Sequence, residues 1–138
     1  MCYFVYGAIN DSVNSRDYEL AICQSEYRFN PGTKQDLEAC IDGKIRGYHV
    51  TTRDQCDCDF PIGMHNKFAK ELIGLSKLVY KFRDIRNIEH IYLSKTWANE
   101  KNKKEVTVHI DDIPDLASYF ADMEEDCLYC IELYERYY

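Results

Sequence analysis

The sequence predicts an α+β domain whose residues 45–135 run β-α-β-β-α-β, the order of the ferredoxin-like arrangement. Three observations predict it. Phe68, Leu72, Leu75, Val79 and Phe82 recur at alternating spacings of four and three, the apolar stripe of an amphipathic helix. Ile91, Leu93, Lys95 and Trp97 alternate along one segment, and Val106, Val108 and Ile110 along the next, which is strand periodicity. Asp112 as a cap, Pro114 in a first turn and Ile113, Leu116, Ala117 and Phe120 facing inward mark a second helix.

The elements follow in order. Residues 2–9 read as a strand, with Cys2, Tyr3, Phe4, Val5 and Tyr6 aromatic, β-branched or small and apolar, Gly7 next to them, and a polar break over 10–14. Ser15 caps a short helix to about Gln24, or else residues 18–29 form a strand; periodicity leaves both open. Asn30-Pro31-Gly32 is a turn signal, and Thr33 opens a helix with Leu37, Cys40 and Ile41 on one side and Gly43 as its stop. Residues 45–52 form a strand, and 53–64 a loop with Pro61 and Gly63. Asn66 caps the striped helix, whose opposite side carries Lys67, Lys70, Lys77 and Lys81. Residues 88–97 and 105–110 are strands joined by the polar loop 98–104, and 127–135 is the last strand. Residues 1–44 add an N-terminal strand and one or two short helices, packed on a 45–138 core within a single 1–138 domain.

A chain of 138 residues fits one domain with a sizeable core. The formal charge of -7 argues against nucleic acid, whose affinity comes from phosphate neutralisation. The charge is uneven. Glu105–Glu135 holds ten acids and no Lys or Arg, so an overall -7 against -10 here leaves the rest at +3. Such asymmetry suits docking to a basic protein or homo-oligomerisation, and otherwise reads as a solvated acidic face. Seven cysteines without a signal peptide read as reduced thiols, mostly core residues, in a cytoplasmic protein. No stretch approaches the roughly 20 apolar residues that span a bilayer, so no membrane partner is expected.

Cys56-Asp57-Cys58-Asp59 is the local feature with chemistry in it. In extended backbone the two thiols lie on one side, roughly 7 Å apart at Cα. His49 lies seven residues before Cys56, and His65 seven after Cys58, so a loop could gather Cys56, Cys58, His49 and His65 around zinc. The aspartates oppose a reactive thiolate, and a turn capped by its own carboxylates explains the string equally well. Cys127 and Cys130 stand three apart; on a strand they point to opposite sides and cannot share a metal. His90 and His109 fall on strands expected to neighbour one another, where they would meet across a hairpin. Asp111 and Asp112 read as a helix cap. No Gly-rich phosphate loop or His-Glu-x-x-His occurs.

Met1-Cys2 is superficially similar to glutamine amidotransferases of the N-terminal nucleophile class, which begin Met-Cys-Gly; Tyr3 stands here at the Gly. The resemblance implies Cys2 as an N-terminal nucleophile activated by its own amine. Phe4-Val5-Tyr6-Gly7 resembles the opening of γ-glutamylcyclotransferases, which continue Ser-Asn where this chain has Ala8 and Ile9. No catalytic residue is carried over from either. The leading expectation is a non-enzymatic binding or regulatory module that self-associates through its sheet or its Tyr-rich C-terminus. A thiolate metal or redox protein is the first alternative, and a Cys2 hydrolase or amidotransferase-like enzyme the second.

Overall fold

A computed structural model describes residues 3–10, 16, 28–31, 45–51, 60–85, 88–97 and 103–135. Among the described residues the architecture is α+β: a mixed sheet with two helices. The strands are β1 (Tyr3–Asn10), β2 (Arg28–Pro31), β3 (Ile45–Thr51), β4 (His90–Trp97), β5 (Lys104–His109) and β6 (Cys127–Glu132). The helices are α1 (Lys70–Asp84) and α2 (Leu116–Ala121), with a 3-10 turn at Ile110–Asp112. Four strands, β1-β4-β6-β5, carry the described side chains, and β3 and β2 extend the sheet beyond β1.

The sheet departs from the ferredoxin-like order. β4 and β5 are not neighbours: β6 lies between them, antiparallel to β4 and parallel to β5. The physical reason is legible in the side chains. β6 is apolar on both faces, with Cys127, Leu128, Tyr129 and Ile131 all buried, and so takes an interior place. β5 exposes Lys104, Glu105 and Thr107 and so takes the edge. The 3-10 turn and α2 make the crossover that a parallel β5–β6 pair requires.

One face of the sheet holds the core. Val5 and Ile9 from β1, Ile91 and Leu93 from β4, and Tyr129 and Ile131 from β6 share a buried cluster with both helices. Four of the five stripe residues enter it: Leu72, Leu75, Val79 and Phe82, joined by Leu78. From α2 and its approach come Ile113, Leu116, Ala117 and Phe120, all inward as their spacing predicts. Ala8, Ser94, Thr96 and Leu128, on the other face, are buried as well.

Several boundaries differ from expectation, and β6 ends at Glu132 rather than at residue 135. Asn30 and Pro31 end β2, opposite His49 and Tyr48, rather than forming a turn; β2 is an edge strand, where proline is tolerated. Helix α1 starts at Lys70, one turn later than Asn66 suggests. Asn66 instead closes a tight turn: its carbonyl accepts from Ala69 N–H at 3.2 Å and its side-chain oxygen from Phe68 N–H at 3.2 Å. Asp112 sits in the 3-10 turn, and Asp115 stands at the start of α2. The helical or strand reading of residues 15–27, apart from Arg16, and the helix at 33–43 lie outside the described residues. None of the described helices is long and apolar enough to cross a membrane.

Candidate functional site

Residues 60–65 are fixed from two sides. From the sheet comes Lys95, whose side chain is 1% exposed. Its neighbours on β4, Ile91 and Leu93, place it on the core face. There Nζ donates to the carbonyls of Phe60 (2.8 Å) and Ile62 (3.2 Å), so a buried ammonium is held by backbone acceptors. From the helix side come the last carbonyls of α2, which lack partners within the helix. Gly63 N–H donates to Phe120 O at 3.1 Å and His65 N–H to Ala121 O at 2.9 Å.

Gly63 is required at its position. It closes the turn in which Met64 N–H donates to Pro61 O, its φ is +77°, and a Cβ there would meet the Met123 carbonyl oxygen at 2.7 Å. His65 also has a left-handed backbone, φ 59°, a region that histidine enters more readily than most residues.

Beyond this fixed segment the turn His65–Phe68 stands out into solvent. The His65 ring donates from Nδ1 to Asp122 Oδ1 at 2.9 Å across the turn–helix seam. Asp115, Ser118 and Asp122 recur at spacings of three and four on the outward side of α2. The Ser118 hydroxyl donates to Asp115 Oδ2 at 2.6 Å. That bond holds the Asp115 carboxyl below its usual range, with Lys67 adding a smaller electrostatic pull. An open cleft of about 250 Å³ lies between turn and helix, bordered by Lys67, Phe68, Ser118, Ala121 and Asp122. Phe68, expected as the first core residue of the stripe, is 79% exposed at its rim, with Lys67 Nζ 5.2 Å from the ring centre. Met64 is half exposed beside it.

The structure places the sequence-predicted site residues unevenly. Cys56 and Cys58, and Cys2 as well, lie outside the described residues. His49 is on β3, paired with Tyr6 and Asn30, and nothing is described of its side chain. Only His65 is seen, and it is tied to Asp122. Among the described residues no group of three His, Cys, Asp or Glu side chains is placed to hold a metal.

Cys127 and Cys130 are both thiols, on opposite faces of β6 as strand geometry demands. Burial pushes the Cys127 thiol up. Cys130 is pushed up to about 11, by burial first and then by Glu132 and Glu105, against a hydrogen bond with Tyr92. Tyr92 is raised in turn to about 12, chiefly by burial. Neither thiol is an activated nucleophile.

His90 and His109 do not meet as a pair across a hairpin. Glu132 of β6 stands between them in register, and both rings pack on Tyr134. His109 accepts at Nδ1 from Asp111 N–H (3.1 Å), which leaves Nε2 to donate to Tyr134 O (2.7 Å). Asp111 and Asp112 are exposed.

Two features of the cleft were available in the sequence and carry little signal alone. Asp115, Ser118 and Asp122 show helical spacing, but so do many solvated helix faces. Lys95 shares a strand side with Ile91 and Leu93, which aims it into the core. Comparisons with protein-family models, curated proteins and solved structures return no match.

Proposed function

We propose that the protein is a small non-enzymatic binding module that associates with itself. The observation that supports this reading is the surface of the His65–Phe68 turn. A large aromatic side chain, Phe68, stands in solvent although the backbone behind it is fixed to both the sheet and α2. Exposed aromatic groups on rigid backbone lose little freedom when they dock, which is the character of interface anchors. A reducing cytosol as its setting fits two free thiols, Cys127 buried and Cys130 half-buried. Light scattering coupled to size exclusion, run from micromolar to millimolar protein, tests it: a concentration-dependent dimer or larger species is expected, and a strict monomer throughout overturns it.

A second reading keeps one observation in its favour. His65 donates from Nδ1 to a carboxylate, leaving Nε2 outward, the pairing that orients metal-binding histidines. A thiolate zinc site drawing on Cys56, Cys58, His49 and His65 would use it. Metal analysis of protein purified without chelator decides: stoichiometric zinc, lost in Cys56→Ser, supports the site, and metal-free protein ends it.

A further inference from the structure

We infer that the partner at this surface is a second copy of the same chain, joined face to face about a two-fold axis through the His65–Phe68 turn and the outer side of α2. The inference rests on the self-associating reading above and names its interface.

The first argument is shape. Phe68 projects at the rim of the cleft, so one face carries both a knob and a hole. A two-fold axis brings each knob onto the other copy's hole, as an isologous interface requires. Ala121 on the cleft border offers a small apolar surface for a ring to lie on.

The second argument is charge. The cleft is bordered by Lys67 on the turn and by Asp122 just past the end of α2, and its Ser118 is bonded to Asp115 at the start of that helix. A strongly acidic or strongly basic partner would meet one sign favourably and the other unfavourably. A rotated copy meets both favourably, because Lys67 of each copy falls opposite the carboxylates of the other. Electrostatic complementarity of this kind selects partner and register more than it adds affinity.

The test uses the full chain and four samples beside the wild type, with circular dichroism as the check on folding. Phe68→Ser is expected to weaken the dimer by about 30-fold or more, as loss of a central aromatic anchor does. Lys67→Glu and Asp122→Lys are each expected to be monomeric, since each places like charges opposite one another twice. An equimolar mixture of Lys67→Glu and Asp122→Lys is expected to dimerise again, because both contacts become attractive in the mixed pair. Three results bear against the inference. A wild-type dimer untouched by all three substitutions places the interface elsewhere and leaves self-association standing. Single variants that dissociate without rescue in the mixture overturn the two-fold pairing. A wild-type monomer at every concentration removes both the interface and the reading beneath it.

Discussion

Phe60 and Phe68 stand eight residues apart on one short segment, the first 0% and the second 79% exposed. Between them the chain is tied by Lys95 from below and by the end of α2 from the side. The contrast teaches that the turn is not loose because its tip is exposed. Its base is part of the core, and the exposed ring is presented by backbone that the fold holds still. Burial stabilises the first phenylalanine, while the second has almost no burial to lose.

The substitutions that break this contrast are ordered by size. Phe60→Ala is expected to cost about 3–5 kcal/mol in urea denaturation, through lost transfer energy and a cavity, while Phe68→Ala, measured at protein concentrations low enough to keep the chain monomeric, stays within about 0.5 kcal/mol. A comparable loss at both positions would mean that Phe68 is covered within the monomer. Lys95→Met is expected to cost about 2–3 kcal/mol, because it strips a charged donor from the Phe60 and Ile62 carbonyls. Its amide hydrogen exchange should rise along 60–65 more than along β6, which separates release of the segment from general loosening. Gly63→Ala follows at about 1–2 kcal/mol, from the positive φ and the Met123 carbonyl.

The smallest effect is electrostatic and belongs to the opposite face of the sheet. Cys130 is raised from 9.0 to about 11 in the folded chain. A raised acid favours the folded state below its unfolded pKa and loses that contribution as pH climbs through the folded one. The urea midpoint should therefore decline between about pH 9 and 11. Cys130→Ser, which does not ionise there, should flatten the lower part of the decline, leaving the parts due to Cys127, Tyr92 and Tyr129. An equally steep decline in that variant would assign it to Cys127 and the tyrosines.

What the sequence disclosed depends on whether a residue's place is set by its neighbours in the chain or by distant ones. The α1 stripe from Leu72 to Phe82, the alternation in β4 and the opposed sides of Cys127 and Cys130 follow from local periodicity, and the structure has them so. The strand order does not follow locally. Residues 98–104 read as a hairpin loop, yet the apolar character of both faces of β6 moves that strand between β4 and β5. Phe68 kept the stripe's spacing but fell one turn short of the helix, because Asn66 spends its side chain on a turn instead of a cap. The His65–Asp122 pair spans 57 residues and belongs wholly to tertiary structure. Cys56 and Cys58, the feature most conspicuous in the string, lie outside the described residues.

The register of β1 has a consequence for how the chain reaches this state. Val5 pairs with Lys95, some 90 residues later, and Tyr6 with both Ser94 and His49. β6, by contrast, finds β4 and β5 within about 40 residues. Closing the longer loop costs more entropy before any contact repays it, so folding should begin in the C-terminal half and finish when β1 docks. Until then the inner edge of β4 is an unpaired hydrogen-bonding row, and the interval before β1 arrives is when the chain is most exposed to mispairing with its neighbours.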